Sequence, residues 1–259
     1  MRPVGDLLRE WRRHRRLSQL QLAAEAEIST RHLSFVESGR SQPSRDMILH
    51  LAQYLDIPLR ERNALLVAAG FAPAFRERAL DDPALAAARA TIDQLLAGME
   101  PFPALAVDRY WQLVASNQAT LRLLHGVAPA LLAPPVNVLR LSLHPQGLAP
   151  RIRNLGQWRA HLLHRLRQQI DACFDPALIA LLRELQALPA PGEGHGDAAS
   201  GGIAVPMQLE LGGRVLSMLS TTTVFGTPVE VTLAELALEA FLPADADTAA
   251  QLRELAGDA

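Results

Sequence analysis

A chain of 259 residues, 49% hydrophobic and 20% charged, can bury a substantial core, and it exceeds the roughly 100 to 200 residues usual for one domain, so two domains are expected. No apolar run approaches the about 18 residues needed to cross a bilayer, and the opening MRPVGDLLREWRRHRR is charged at once; no membrane partner and a cytoplasmic location are expected. The one cysteine, Cys173, rules out an internal disulfide and a cysteine-rich zinc site.

All 25 basic residues are arginine, a bias that, with the Ala, Leu and Pro content, points to GC-rich coding. The net charge of -2 hides an asymmetry: residues 1–75 hold 11 arginines against 8 acidic residues, a net of +3, and the rest of the chain a net of -5. Arg9, Arg12, Arg13, Arg15 and Arg16 crowd into eight positions. Beside a suitable motif, such a cluster suggests a phosphate partner.

The first 70 residues read as five short helices. Val4, Leu7, Leu8 and Trp11 recur at helical spacing to about Arg16. Ser18 caps a second helix with Gln21 at the capping-box position, Ser29 a third, and Ser44 a fourth that turns Met47, Ile48, Leu51 and Leu55 inward. Pro58 opens the fifth, which ends before Gly70. The second and third helices, joined by the tight turn AEIS, make a helix-turn-helix.

Gln19, Leu22-Ala23, Ile28-Ser29, Leu33-Ser34, Glu37, Gly39 and Pro43-Ser44 resemble the Cro/C1-type (XRE) family of bacterial DNA-binding domains. Glu27 stands where that family often has glycine. The resemblance, with the geometry of a recognition helix in the major groove, implies that Thr30, Arg31, Ser34 and Phe35 face base edges of an operator in double-stranded DNA. It also implies that Gln19 contacts the DNA backbone, with Arg40 and Arg45 as further phosphate partners, and that Arg12 and Glu37 form an internal ion pair.

Phe71 to Pro83 reads as a linker, within which residues 73–83 separate a DNA-binding domain (1–72) from a second domain (84–259). Asp82 and Pro83 start a helix with Leu85, Ile92, Leu95 and Leu96, which stops at Gly98. ALAVDRYWQLVASN then alternates as two short strands, with Asn117 placed to cap the next helix. Trp158, Leu162, Leu166 and Ile170 mark a long helix, and Leu178, Leu181, Leu182 and Leu185 another. Residues 187–202, glycine-rich and polar, read as a loop. PMQLELGGRVLSMLSTTTVFGTP reads as a hairpin about Gly212-Gly213, LAELALEAFLPAD as a further strand, and Thr248 to Leu255 as a short helix.

This order makes the whole chain α+β: an all-α head followed by a PAS-like antiparallel sheet with flanking helices. VNVLRLSLHPQGLAPRIRNLGQW and STTTVFGTPVEVTLAELALEAFLPAD resemble the MmyB-like regulators, in which an XRE domain precedes a PAS-like domain. That resemblance implies a small apolar, fatty-acid-like ligand and no other cofactor. Candidate pocket walls are Trp111, Trp158, Met218 and Phe241, with Asn117, Arg140, His144, Arg159 and Thr222 as polar partners for the ligand. Which face of the strand around 215–222 points inward is left open by its alternation.

No catalytic or metal site is expected. His161 and His164 share a helix face without a second anchored pair, and His125, His144 and His195 are scattered. A nucleophile elbow is missing, and a phosphate-cradling loop of the GK[ST] type is impossible without lysine. A pseudo-palindromic operator calls for a homodimer, so the second domain can alternatively be a dimerisation or protein-interaction module without a ligand.

Overall fold

A computed structural model describes residues 2–189 and 205–257. The loop expected at 187–202 therefore lies mostly outside the described residues, as does His195. The chain divides into two compact units, Met1–Arg78 with Pro228–Ala234, and Ala79–Thr227 with Glu235–Ala259.

The first unit contains α1 (Val4–His14), α2 (Gln19–Glu25), α3 (Thr30–Glu37), α4 (Arg45–Tyr54) and α5 (Leu59–Ala68). Local chemistry sets their starts. Ser18 Oγ accepts the Gln21 N–H at 3.1 Å while Gln21 Oε1 accepts the Ser18 N–H at 2.8 Å, a complete capping box. Ser29 and Ser44 cap α3 and α4 through the N–H groups of His32 and Met47. Pro58, expected to open α5, instead precedes it in an extended conformation with ψ 154°. Leu8, Leu22, Leu33, Val36, Ile48, Leu51, Leu65 and Leu66 fill the core. Between α2 and α3 the backbone is left-handed at Glu27, φ 52°, which costs a residue with a Cβ about 1–2 kcal/mol. Gly5 lets α1 approach the end of α3 so closely that a Cβ there would collide with the Val36 carbonyl.

The second unit is built on five antiparallel strands, interleaved with helices. In chain order these are α6 (Ala86–Gly98), β1 (Ala104–Val107), β2 (Leu113–Ser116), α7 (Gln118–Leu123), α8 (Pro129–Leu132), α9 (Val138–Leu143), α10 (Leu155–Cys173), α11 (Pro176–Ala187), β3 (Met207–Leu211), β4 (Arg214–Val224), α12 (Val231–Ala234), β5 (Ala237–Pro243) and α13 (Ala246–Gly257). The strand order is β2-β1-β5-β4-β3, and the fold of the whole chain is α+β. Gly212 and Gly213 turn β3 into β4 with φ of 59° and 78°, the pair of positive values that a tight hairpin turn needs.

Both faces of the sheet are covered at β1, whose four residues are all buried. Ala104, Ala106 and Ala240 pack with Ile92 and Leu96 of α6, while Leu105 and Val107 join the main core with Trp158, Leu162 and Leu166 of α10. On β4, Leu216 and Met218 are fully buried, so the inward face that the alternation leaves open is the one of residues 216 and 218; further along the same face Ser220 is half-buried and Thr222 exposed.

One segment departs from the linear plan. Residues 228–234, between β4 and β5 in the chain, belong to the first unit and include the single turn α12, so the strand expected from Leu233 begins instead at Ala237. Val231 is fully buried and its N–H donates to the Arg76 carbonyl. The Glu230 carboxylate accepts the Arg78 N–H at 2.8 Å, and Thr232 Oγ1 donates to the Arg78 carbonyl at 2.6 Å. Asn63 of α5 holds the backbone of Ala74 and Phe75. Residues 71–78, read from the sequence as linker, are therefore part of the first unit's fixed structure. Among the described residues, no helix is long and apolar enough to cross a membrane.

Candidate functional site

Each unit holds one candidate site. In the first unit, the Ser29 cap and the buried Leu33 and Val36 fix α3 so that Arg31 is exposed, with Thr30, Ser34 and Phe35 half-buried beside it. The Arg31 guanidinium lies 5.3 Å from the centre of the Phe35 ring, one helical turn on. This stacking holds the guanidinium over the ring and covers part of the ring expected to face a base edge. Arg40 and Arg45 are exposed, and Arg45 comes no nearer than 4.0 Å to Asp46.

Behind this helix stands a buried network centred on Glu37. Arg12 Nε and Nη2 donate to the two Glu37 carboxylate oxygens at 2.6 and 2.8 Å, and Arg12 Nη1 donates to the Leu17 carbonyl. Arg9 donates to the Glu37 carbonyl, and Gln19 Nε2 to Glu37 Oε2 at 2.8 Å. Burial pushes the Glu37 carboxyl up, but the hydrogen bonds from Arg12 and Gln19 and the charges of Arg12 and Arg9 outweigh it and hold the group below its usual range. Gln19, expected as a backbone contact, is thus a spoke of this network; contact with a phosphate is left to its second amide hydrogen or to its main-chain N–H at the start of α2. Arg15 donates to the carbonyls of Leu55 and Asp56, so three arginines of the basic cluster serve the fold.

In the second unit, a cavity of about 80 Å³ lies among β1, β2, α7, α9, α10 and β5. Trp111, Trp158 and Phe241 form walls, with leucines such as Leu139 and Leu162 completing an almost wholly apolar lining. Trp111 sits in the β1–β2 turn at φ 62°, a strained value for a residue of its size, and is held by its Nε1–H donating to Gln169 Oε1 at 2.7 Å. Trp158 satisfies its own N–H on Ser142 Oγ at 2.9 Å.

At one end the lining turns polar. Arg165 of α10 donates to both oxygens of Glu239 on β5, from Nη1 at 3.0 Å and from Nη2 at 2.6 Å, and its guanidinium lies 5.0 Å from the centre of the Trp111 ring. Thr222 Oγ1 lies 2.9 Å from both Arg165 Nη2 and Glu239 Oε1. Burial and the charge of Arg165 push His161, stacked on Trp158, below the ordinary imidazole range, against the pull of Glu239.

Of the nine pocket residues expected from the sequence, Trp111, Trp158 and Phe241 line the cavity. Thr222 borders it through Arg165 and Glu239. The other five are engaged elsewhere. Asn117 is buried as the cap of α7. Arg140 pairs with Glu184 at 2.6 Å, and His144 Nδ1 accepts the Gln146 N–H. Arg159 donates to the last carbonyls of α11 and to Leu188, and Met218 packs in the core away from the lining. The residues missed are Arg165 and Glu239. Glu239 did carry a signal: Ala237, Glu239 and Phe241 share one face of a strand, and an acid at an inward position must find a partner.

A helix-turn-helix head with an arginine displayed on its third helix, followed by a unit with an apolar cavity, defines a DNA-binding transcriptional regulator with a ligand-binding domain. Residues 3–65 match the family profile of a helix-turn-helix domain, and residues 88–255 that of the MmyB-like transcription regulator ligand binding domain. Since the second match spans more than half of its length, the chain belongs to the MmyB-like transcription regulators. Similar curated proteins include the uncharacterized HTH-type transcriptional regulator RghRB of Bacillus subtilis (strain 168), 41% identical over 78 residues, which cover 30% of this chain and 54% of that protein. The transcriptional regulator ClgR of Mycobacterium tuberculosis (strain CDC 1551 / Oshkosh) is 35% identical over 91 residues, 35% of this chain and 79% of that protein. This chain thus spans about half the length of RghRB.

Proposed function

We propose that the protein is a cytoplasmic, homodimeric regulator without catalytic activity, whose PAS-like second domain senses a small hydrophobic molecule with a fatty-acid-like chain. The observation that carries this reading is the apolar cavity closed at one end by Arg165, Glu239 and Thr222. A site for an amphiphile needs this division between an apolar body and a few converging polar groups. A packed interaction module has no use for it. Two stretches of chain join the second unit to the DNA-binding unit: residues 79–103, which contain α6 and lead to Pro103 in the cavity lining, and the 228–234 segment, whose C-terminal side leads within five residues from Ala234 to Glu239. Ligand shifts operator affinity only by the difference in its binding to two states of the protein.

Native mass spectrometry of the protein as purified, set against the denatured chain, tests the reading: a dimer with added mass that is lost on denaturation is expected. A protein that stays free of added mass when offered saturating medium-chain amphiphiles would sink the sensor. On the DNA side, Arg31→Ala is expected to weaken operator binding by about 1–3 kcal/mol and to relax preference at one base pair. Sequence preference measured on a randomised operator and found unchanged would remove Arg31 from the readout. Arg40→Ala is expected to weaken specific and non-specific DNA alike and to lower the salt slope by about 1, read from binding titrations across salt concentrations.

A further inference from the structure

The polar end of the cavity holds a charge that is already neutralised. Arg165 meets Glu239 with two nitrogens on two oxygens, and Thr222 Oγ1 lies within hydrogen-bond distance of both, so the three side chains form a closed ring. The Glu239 side chain is only 4% exposed and that of Arg165 21%, so the pair is largely withdrawn from water. We propose that the ligand of this cavity carries an uncharged hydrogen-bonding head, a hydroxyl or an ester or amide carbonyl, on its apolar chain, and that Glu239 is the residue that excludes a carboxylate. The proposal rests on the reading of the cavity as a small-molecule site.

A carboxylate head seeking Arg165 meets Glu239 on the same guanidinium. Both outcomes are unfavourable: either two carboxylates share one cation at close range, or Glu239 is displaced and left buried without its partner. A neutral head avoids this, because a hydroxyl or carbonyl adds a hydrogen bond at the rim of the pair without changing its charge. Among the described residues that line the cavity, Arg165 is the only cationic side chain. A second, polar recess of about 210 Å³ shares Trp111, Arg165 and Glu239 with the cavity, and its acidic residues Asp108, Glu235 and Glu239 outnumber its arginines, Arg109 and Arg165. Arg109 is itself bound to Asp175 at 2.6 Å and to Glu235 at 2.7 Å. His161, next to Trp158, is held toward its neutral form.

The test is isothermal titration calorimetry on the full chain with two probes of equal chain length, octan-1-ol and sodium octanoate, at pH 8. Wild type is expected to bind octan-1-ol at least about tenfold more tightly, a difference of about 1.4 kcal/mol. Glu239→Gln, which leaves Arg165 with an unmatched charge, is expected to gain octanoate affinity by a similar factor and so to narrow or reverse the preference for octan-1-ol. Octanoate binding as tightly as octan-1-ol to the wild type overturns the inference, and so does a folded Glu239→Gln protein with an unchanged preference. Should the variant not fold, the wild-type ratio decides alone. If neither probe binds, the small-molecule reading of the cavity fails, and the inference with it; that outcome is distinct from a reversed preference.

Discussion

Glu37→Ala is expected to destabilise the DNA-binding unit by about 3–5 kcal/mol, because it leaves the Arg12 guanidinium buried without its anion. Arg12 reaches the carboxylate with two nitrogens and keeps only the Leu17 carbonyl when it is removed. Arg9 and Gln19 lose an anchor in the same step, so α1, α2 and the end of α3 are all loosened. Thermal or urea unfolding of the full chain, followed by hydrogen exchange in α1–α3, measures the loss. A melting temperature equal to that of the wild type would sink the structural role of the pair. Removing both partners is milder: Arg12→Met with Glu37→Met is expected to recover much of the loss, since no uncompensated charge stays buried. The pH dependence has a definite sign. The folded-state pKa of Glu37 is lowered, so its contribution is fully present above the ordinary carboxylate range and fades as pH falls through the lower folded value.

The DNA-binding unit was legible because its signals are local. Ser18 with Gln21, Ser29 and Ser44 mark helix starts within three residues of the groups they cap, and helical spacing finds Leu33 and Val36. The hairpin at Gly212-Gly213 and the cap at Asn117 are of the same kind. The polar end of the cavity is not. Arg165, Thr222 and Glu239 come from three elements, and only the β4–β5 register, which pairs Thr222 with Glu239, and the placement of α10 bring them together. Arg140, His144 and Arg159 were attractive as ligand partners because they are polar residues inside an apolar domain. Each is used instead at a helix end or in an ion pair, which no spacing rule reveals. Residues 228–234 show the same limit, since only tertiary structure sets Glu230 against the main chain of Arg78.

Asn117→Ala is expected to cost the second unit about 3–4 kcal/mol and to leave the ligand affinity of the folded protein unchanged. The Asn117 side chain is a knot between three stretches of chain, the end of α6, residues 102–104 and the start of α7. Its Oδ1 accepts the N–H groups of Ala104 at 3.0 Å and Thr120 at 3.1 Å, and its Nδ2 donates to the carbonyls of Phe102 at 2.8 Å and Leu96 at 3.3 Å. Loss of a helix cap alone costs about 1 kcal/mol. The larger part comes from the buried Ala104 N–H and Phe102 carbonyl left without partners, at about 1–3 kcal/mol each where no water can replace the amide. Asn117→Asp keeps the acceptor and loses both donated bonds, so it is expected to retain the cap but to be destabilised as well, by the burial of a charge. Because the chain has two units, a single unfolding midpoint does not isolate the effect; hydrogen exchange at β1 and the start of α7 does. Protection there equal to wild type would mean that the knot does not hold these elements. A folded Asn117→Ala protein that no longer binds octan-1-ol, which the wild type is expected to bind, would return Asn117 to the ligand site, where its burial and its four bonds to main-chain groups do not place it.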